Sequence, residues 1–400
     1  MINLVPSVVL EGVAELIEQN GQDPVELFRR VGIPEAALLI SFIGNKGAIR
    51  KFGQLIFTRL IYQVKALNMQ KLNSSFVFCG LCLLAQSAFG QTAMTIHSSS
   101  SCLAEQVDQV WVEGAEFIMG DDTTHREEGP AHSVTVSGFW VDAHEVTNAQ
   151  FAKFVEETSY ATVAEQSSDP ADWPGDVPAE FLQPGSILFT PPAPGQPVEN
   201  WWSWVAGTNW RHPDGPDSNL AGKDNYPVIH IAFEDAEAYA KWAGRSLPTE
   251  AQFELAARNK RDSRYAWEGS ELAPNGHHHA NTWQGSFPVE HNVEDGHVGL
   301  APVGCFGSND YGIYDLIGNV WEWTSNWYYP EHNPSDSLNP AGPSQQNSFS
   351  GNHGEAIARV IKGGSYLCAE NYCLRFRPAA RQAQDSGLGT SHIGFRTVLN

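Results

Sequence analysis

The distribution of tryptophan most constrains what this chain can fold into. All 13 tryptophans lie beyond residue 110, the first being Trp111. Five of them fall within residues 160–226, a stretch rich in Pro, Gly and Asp that has no sustained helical or strand period. A disordered segment would not carry so many large apolar side chains, so we expect long ordered loops packed on a core. A domain with so much irregular backbone also needs metal ions or disulfides to hold it.

Short regular elements are predicted around these loops. Strands are predicted where apolar and polar residues alternate, over 110–117, 133–141, 359–361 and 393–398. Helices are predicted where apolar residues recur at helical spacing, over 148–156, 234–243 and 249–258. Thr249 and Gln252 form a capping box that opens the last of these helices. We therefore predict an α+β domain over residues 110–400, loop-rich and low in regular secondary structure.

The charge distribution divides the chain and excludes one class of partner. Residues 1–90 contain 8 basic and 6 acidic side chains, which leaves 16 basic and 40 acidic side chains for residues 91–400, a balance of −24. Binding to a nucleic acid requires basic side chains that replace the cations around its phosphates, and an acidic protein lacks an excess of them. We therefore predict no nucleic-acid partner. The charge suits a protein that binds hard cations or a basic ligand.

Residues 1–68 are predicted to be a leader of uncertain status. The stretch VLEGVAELIEQNGQDPVELFRRVGIPEAAL, residues 9–38, shows helical spacing and resembles the opening of the N-terminal domain of AraC-type transcription regulators. No recognition helix follows it, so we give this resemblance little functional weight.

Residues 69–90 have the layout of a secretory signal peptide. Lys71 precedes an apolar run over 76–84, and small residues stand at the −3 and −1 positions of a cut before Gln91. The run is too short to span a bilayer. A buried hydrophobic helix is the alternative interpretation of the same run.

The signal-peptide interpretation carries three expectations about the mature protein. Translation would begin at Met69, and the chain would be exported to the periplasm or the medium. We expect no stable membrane insertion after cleavage. The remaining residues 91–109 are predicted to be a linker to the folded domain.

Two cysteines near the C-terminus, Cys368 and Cys373, form the candidate reactive pair. An offset of five residues sets two side chains on opposite faces of a strand and well apart around a helix, so the chain between them must turn if the sulfurs are to meet. Three roles remain open on spacing alone: a structural disulfide, a redox-active dithiol, or two thiolates that hold Cu(I). Cys102 and Cys305 lack paired spacing, which disfavours a four-ligand zinc site.

Eight segments between residues 110 and 400 resemble the formylglycine-generating enzymes and occur in that family's order. They are GAEFIMGDD, VDAHEVTNAQFAKFV, NWRHPDGPDS, PVIHIAFEDAEAYAKWAGRSLPTEAQFELAAR, HANTWQGSFPV, GIYDLIGNVWEWTSNWY, RVIKGGSYLCAENYCLRFRPAAR and HIGFR. Pieces such as GNVWEW and GFR also occur in relatives with other chemistry, whereas two cysteines at this spacing after GGSY mark the oxidases. The resemblance implies the loop-rich formylglycine-generating-enzyme fold, within the C-type-lectin-like superfamily.

The resemblance also implies an active site built around the two cysteines. Cys368 and Cys373 match the pair that binds Cu(I), where a client cysteine joins as a third thiolate and O2 oxidises it to a thioaldehyde that hydrolyses to formylglycine. Ser365 matches an active-site hydroxyl. The residues that match or adjoin the substrate pocket are Trp321, Tyr372, Arg377 and His392. Two of these have ordinary alternatives, because Trp321 could belong to the core and Arg377 could pair with a nearby carboxylate.

Structural calcium is a further implication of the resemblance. The matching positions supply side-chain or backbone oxygens, and they are Asn281, Thr282, Asp295, His297, Asp315, Gly318, Val320 and Glu322, with Glu145 as a further candidate. Calcium takes six to eight oxygen ligands, which loops of this kind can provide. The alternative is that these residues only shape turns.

The implied client is an unfolded segment of a sulfatase polypeptide with the pattern Cys-x-Pro-x-Arg, whose arginine the acidic surface would attract. The alternative is a non-catalytic binding module of the C-type-lectin-like superfamily, in which Cys368 and Cys373 would form a static disulfide. His392 and Ala369 differ from the residues most common in the family. These two differences bear on client preference and leave the reaction unaffected.

Overall fold

The computed structural model describes residues 102–103, 108–170, 178–192, 201–259, 261, 263–269, 271–348 and 358–400. All of the described residues belong to one compact unit, Thr95–Asn400. The predicted leader 1–68 and signal peptide 69–90 lie outside the described residues. Among the described residues, no helix has both the length and the apolarity needed to cross a bilayer.

In the part of the chain that the structure describes, short strands and three α-helices are embedded in irregular chain, as predicted for an α+β fold. The strands are β1 Gln109–Val112, β2 Ala115–Met119, β3 His132–Val136, β4 Phe139–Asp142, β5 Gly185–Phe189, β6 Trp202–Ala206, β7 Trp321–Trp327, β8 Ala358–Lys362, β9 Arg381–Asp385, β10 Ile393–Gly394 and β11 Val398–Leu399. The helices are α1 Asn148–Thr158, α2 Phe233–Trp242 and α3 Glu250–Arg258.

Two sheets and two hairpins organise the described strands. β4 lies between β1 and β11 in an antiparallel sheet. A second sheet has the order β10-β7-β8-β9, with β10 parallel to β7 and the other pairs antiparallel. β2 pairs with β3, and β5 with β6, as separate antiparallel ribbons. The second sheet positions the candidate site, because the segment with Cys368 and Cys373 leaves it at the end of β8.

Each of the two long strands predicted near the start of the domain is broken in two by a glycine. Gly114 separates β1 from β2, and Gly138 separates β3 from β4. A Cβ on Gly114 would lie 2.6 Å from the Gly138 nitrogen, and a Cβ on Gly138 would lie 2.4 Å from the Trp111 ring. The chain therefore changes sheet at a point where only glycine allows so close an approach.

The three predicted helices are confirmed, and each buries an apolar face in one core. Thr147 and Thr249 cap α1 and α3 with capping boxes, as the sequence predicts for Thr249. Phe151 of α1 stacks on Tyr239 of α2 with ring centroids 5.9 Å apart, and Phe395 packs edge-on against both rings. This aromatic core supports β10 and β11.

Helix α3 is buried along its length, including its charged residues. Glu254 pairs with the fully buried Lys362 at 2.9 Å and with Arg258 at 2.7 Å. Arg381 makes a bidentate pair with Glu250 at 2.7 and 2.9 Å. Because every one of these charges has a buried partner, α3 is fastened to β8 and β9.

A disulfide that the sequence did not predict joins Cys102 to Cys305, with Cα atoms 4.8 Å apart. The two cysteines are separated by 203 residues, so spacing gave no signal for the pairing. Cys102 falls within the predicted linker 91–109. That residue is therefore cross-linked to the domain, and β1 begins at Gln109, one residue before the predicted boundary.

Candidate active site

The cysteine segment turns back on itself, as the spacing requires. After β8 the chain passes through Gly363 and Gly364, with φ values of +94° and +77°. A Cβ on Gly364 would lie 2.8 Å from the Arg375 carbonyl oxygen, so the outgoing and returning chains touch at this glycine. The Ala369 carbonyl accepts the N–H groups of Tyr372, Cys373 and Leu374, each at 3.2 Å. This turn brings the two sulfurs together.

Both cysteines of the turn are free thiols. Cys368 is buried and Cys373 is partly exposed. The Cys368 thiol donates a hydrogen bond to the Cys373 sulfur, and this bond lowers the pKa of Cys373. Burial raises the pKa of Cys368 well above its ordinary value, and the neighbouring Cys373 raises it further. The structure therefore contains a reduced thiol pair, and the static disulfide of the alternative interpretation is absent from it.

The donor set of this pair fits a soft monovalent cation. Two sulfurs lie in contact with no disulfide between them, and one of them reaches the surface. Within the described residues, no third His, Cys, Asp or Glu side chain joins the two sulfurs in a group that could hold a metal ion. Sulfur donors in low number are what Cu(I) prefers.

Ser365 lies beside Cys368 in the buried interior, and Trp321 belongs to the apolar core that also contains Cys368. Ser365 is fully buried; its carbonyl accepts the Cys368 N–H at 2.9 Å and its hydroxyl accepts the Leu367 N–H at 3.3 Å. Trp321, at the start of β7, is 2% exposed and belongs to the same apolar cluster as Cys368. Trp321 is thus a core residue, which is the ordinary alternative noted from the sequence.

An aromatic surface borders the turn on its exposed side. Tyr372 is 58% exposed and stacks on Phe287 with centroids 4.4 Å apart. Trp201 packs edge-on against both of these rings, at 6.4 Å from Tyr372 and 5.9 Å from Phe287. An exposed tyrosine on such a surface can contact the apolar part of a visiting chain.

His392 lies in the same aromatic region. Its ring is 4.7 Å from that of Trp202, and its Nδ1 is 2.8 Å from the Thr390 hydroxyl. Burial lowers the pKa of His392 to about 3, and the nearby His230 adds to this effect. The imidazole is consequently neutral at physiological pH and can act there only as a neutral hydrogen-bonding group.

Arg377 occupies a different environment from the exposed residues of the site. It is 2% exposed, donates to Glu128 and, at 3.1 Å, to Asp121, and its Nε donates to the Leu374 carbonyl at 2.9 Å. In this structure its guanidinium therefore pairs with internal carboxylates, which is the ordinary alternative noted from the sequence. Any part it plays at the site is exerted through the backbone of the turn.

The first predicted calcium set is assembled in one loop region, and its oxygens fit a hard cation. Asn281 Oδ1 and Thr282 Oγ1 are buried without a hydrogen-bond partner. Gln284 Nε2 donates to the Thr282 carbonyl and, at 2.8 Å, to Asp295 Oδ2. The His297 N–H donates to Asp295 Oδ1 at 2.9 Å. Buried oxygens left without a proton donor are what a calcium ion would satisfy.

The second predicted set fits only in part. Asp315, Glu322 and Glu145 share one buried cluster, in which Arg396 takes both oxygens of Glu322 at 2.7 Å. Glu145 Oε2 has no partner. Burial, together with Asp315 and Glu322, raises the pKa of Glu145 well above its usual range, and burial raises that of Asp315 to about 6. The surplus of buried carboxylates favours a cation, but the oxygens of Glu322 are already engaged by Arg396.

The backbone carbonyl positions of this set lie at a tight crossing of two loops. Gly318 has a φ of +82°, and a Cβ there would lie 2.3 Å from the Asn281 carbonyl oxygen. The Asn319 N–H donates to that same carbonyl at 2.9 Å, and Val320 is fully buried next to it. The two predicted sets are thus neighbours in space.

Three residues of the site have no sequence signal of their own. The Trp283 N–H donates to the Cys368 carbonyl at 3.0 Å. His125 Nε2 lies 3.0 Å from the Cys373 carbonyl, and Arg375 pairs with Glu127. These partners lie between 85 and 248 positions apart along the chain, and no local pattern can indicate such contacts.

Comparison with known proteins agrees with this geometry. Residues 97–400 match the family described as sulfatase-modifying factor enzyme 1-like domain. The formylglycine-generating enzyme of Mycobacterium tuberculosis is 47% identical over 306 residues, covering 74% of this chain and 98% of the relative. The formylglycine-generating enzyme of Mus musculus is 44% identical over 287 residues, covering 71% of this chain and 73% of the relative.

The fold is also found among solved structures. PvdO from Pseudomonas aeruginosa superposes with a TM-score of 0.51 at 20% identity, covering 72% of this chain and 93% of that one. At this level of identity the likeness concerns the fold alone. The family match and the two relatives carry the assignment: the chain belongs to the formylglycine-generating enzyme, or sulfatase-modifying factor, family.

Proposed function

We propose that this protein oxidises a cysteine of client sulfatases to Cα-formylglycine, using Cu(I) and O2. The observation that carries the proposal is the pair of free, touching thiols at Cys368 and Cys373, within a chain that is 47% identical to a protein named formylglycine-generating enzyme. A binding module would have no use for a reduced pair whose one member reaches the surface.

The reaction must balance four electrons. The client cysteine gives up two electrons and two protons and becomes a thioaldehyde, which water hydrolyses to the aldehyde and hydrogen sulfide. O2 takes four electrons and becomes two water molecules, so two further electrons come from two external thiols, which leave as a disulfide. When bound, Cu(I) supplies the redox centre at which O2 can accept these electrons.

Cys368 and Cys373 would hold the copper ion, each as a thiolate. Of the two, Cys373 has the lowered pKa and the partial exposure, so it ionises first and is the one a client thiol approaches. Ser365 fixes the backbone of Cys368 from the buried side. The protein's own contribution is a preformed, rigid pair of donors next to an open face.

Client recognition would take place on the aromatic surface and through charge. Tyr372 offers an exposed ring, with the partly buried Trp201 edge-on beside it, for the apolar part of an extended segment, proline included. The excess of acidic side chains beyond residue 90 favours the arginine of a Cys-x-Pro-x-Arg segment. His392, neutral and packed at a tilt against Trp202, borders the same surface and bears on client preference.

Two subsidiary proposals concern calcium and location. Asn281, Thr282 and Asp295, with the carbonyl near His297, would hold a structural calcium ion; Asp315, Glu145 and the carbonyls of Gly318 and Val320 are candidates for a second. We also propose export, which the signal-peptide pattern of residues 69–90 supports. The disulfide between Cys102 and Cys305 is in keeping with an oxidising compartment.

The deciding experiment uses the purified protein, a peptide with the Cys-x-Pro-x-Arg pattern, O2 and a thiol reductant, with and without stoichiometric Cu(I). Mass spectrometry should find the client cysteine converted to the aldehyde only when copper is present, and trapping with a hydrazide should confirm the carbonyl. Cys368→Ser and Cys373→Ser should each abolish conversion. Absence of aldehyde from the unmodified protein at every copper loading would reject the proposal.

A peptide control separates recognition from chemistry. Replacing the client's arginine by alanine should raise KM while leaving kcat nearly unchanged, because the arginine is remote from the reacting sulfur. A client with serine in place of cysteine should give no aldehyde.

A further inference from the structure

The residue after the second cysteine has an unusual backbone conformation. Leu374 has a φ of +48°, the left-handed region that bulky side chains rarely adopt. Such a conformation persists only where the surroundings over-determine it, and it commonly occurs at functional sites. Leu374 is joined directly to Cys373, so whatever holds this peptide also sets the direction of the Cys373 side chain.

Two side chains hold the carbonyls on either side of this strained position. His125 lies with Nε2 3.0 Å from the Cys373 carbonyl oxygen, and since a carbonyl can only accept, Nε2 carries the proton. Arg377 Nε donates to the Leu374 carbonyl at 2.9 Å. With the Leu374 N–H bonded to Ala369, both peptide groups of Leu374 are fixed.

His125 belongs to a segment, Asp121–Glu128, that forms ion pairs with the chain that follows the cysteine turn. Glu127 pairs with Arg375, and Glu128 pairs with Arg377. The segment closes on itself through the Asp121 N–H, which donates to the Glu128 carbonyl at 3.1 Å. We call residues Asp121–Glu128 the clamp.

We propose that the clamp sets the position of the Cys373 thiol relative to Cys368, and that His125 is its principal positioning residue. The proposal deepens the proposed function, since it concerns the same thiol pair. His125 touches neither sulfur; it acts through the carbonyl of Cys373. Releasing that carbonyl lets the peptide between Cys373 and Leu374 rotate toward an unstrained conformation, and the Cys373 side chain then turns away from Cys368.

The test uses full-length protein and three variants. His125→Phe removes the donor while retaining a ring, and His125→Gln retains a side-chain N–H. His212→Phe is the matched control, because His212 also bonds a backbone carbonyl, that of Ser218 at 2.6 Å, in another loop. His125 is only partly buried, so replacement leaves no core cavity; should His125→Phe fail to fold, His125→Ala takes its place.

Two readouts are measured, neither of which depends on turnover. The first is the pH midpoint for alkylation of Cys373 by iodoacetamide in metal-free protein, followed by peptide mass spectrometry. The second is the Cu(I) dissociation constant, from competition with a chromophoric Cu(I) chelator. Thermal unfolding of each variant confirms that the fold is intact.

For His125→Phe we expect the alkylation midpoint to rise and Cu(I) binding to weaken about tenfold, the worth of one hydrogen bond at the upper end of its range. His125→Gln should recover most of the Cu(I) affinity and should return the alkylation midpoint most of the way to that of the unmodified protein. His212→Phe should match the unmodified protein in both measurements. Identical midpoints and copper affinities for His125→Phe and His212→Phe would overturn the proposal. If the unmodified protein binds no copper, the proposed function fails, while the alkylation experiment still decides whether the clamp exists.

Discussion

The backbone N–H of Trp283 donates a hydrogen bond to the carbonyl of Cys368, with an N···O distance of 3.0 Å. Trp283 directly follows Asn281 and Thr282, two residues of the first predicted calcium set. The Asn281 carbonyl in turn accepts the N–H of Asn319, whose own carbonyl accepts the N–H of Tyr366. The loops that would bind calcium are therefore the loops against which the first cysteine is built.

Calcium should stabilise the domain if these loops bind it. At a calcium concentration a hundred times the dissociation constant, linkage predicts a gain of about 2.7 kcal/mol in unfolding free energy. Differential scanning calorimetry with calcium, magnesium or chelator measures this; magnesium should have a smaller effect because it prefers a rigid octahedral shell. Asp295→Asn should remove the calcium response, and Glu294→Gln, the same charge change one residue away, should retain it. A calcium response that is unaltered in Asp295→Asn would contradict the assignment of the first set as a calcium site.

The two thiols of the candidate active site should react in a fixed order. The lowered pKa and partial exposure of Cys373, against the raised pKa and burial of Cys368, favour attack by the Cys373 thiolate. Brief treatment of metal-free protein with iodoacetamide at pH 8 should modify Cys373 at least about tenfold faster than Cys368, as judged by peptide mass spectrometry. Equal rates, or faster modification of Cys368, would contradict this order.

The disulfide between Cys102 and Cys305 should contribute to stability without taking part in catalysis. The Gly304 N–H beside it donates to Asp315 Oδ2 at 2.6 Å, so the cross-link also supports the buried carboxylate cluster of Asp315, Glu322 and Glu145. A Cys102→Ala, Cys305→Ala double variant should lose about 2–4 kcal/mol of unfolding free energy, as for the loss of a native cross-link. Urea denaturation measures the loss, and a thiol titration should still find two reactive thiols. A loss of copper binding in this variant would argue against a purely structural role.

His230 should make the folded state sensitive to mild acid. It is fully buried between Ser186 and the Pro213 carbonyl, and burial lowers its pKa to about 4 from an ordinary value of 6.5. Between pH 6.5 and 4 the unfolded chain binds a proton that the folded chain does not, so acid favours unfolding. In the variant His230→Asn, asparagine tolerates the φ of +61° at this position. Because asparagine does not titrate, the variant lacks the proton uptake of the histidine.

The comparison of these two proteins isolates the effect of that single histidine. Relative to His230→Asn, the unmodified protein should lose stability by up to about 1.4 kcal/mol per pH unit between pH 6.5 and 4, with no pH-dependent difference above pH 7. Urea unfolding at pH 7, 6 and 5 provides the measurement. If the two proteins differ by the same unfolding free energy at all three pH values, His230 has the same pKa in the folded and the unfolded chain.

Local features of the sequence were sufficient to predict the helices and the turn between Cys368 and Cys373. Helices α1 to α3 follow from apolar spacing and capping boxes within a dozen residues, which act in the same way in any surroundings. The turn between Cys368 and Cys373 follows from their offset, and their family role from the motifs around them. The strands were harder to predict, because β7 is buried on both faces and shows no alternation, and β5 and β6 are short ribbons inside a tryptophan-rich stretch.

The sequence by itself determined the family, the loop-rich architecture and the two sulfurs on which the proposed chemistry depends. Only the tertiary structure decided which groups meet: that Cys102 bonds Cys305, that Arg377 is buried against Glu128, and that His125 holds the carbonyl of Cys373. The physical reason is that helix periods, caps and turns are encoded by neighbours along the chain. Cross-links, buried ion pairs and carbonyl contacts join residues more than 200 positions apart, and they exist only once the chain has closed around its core.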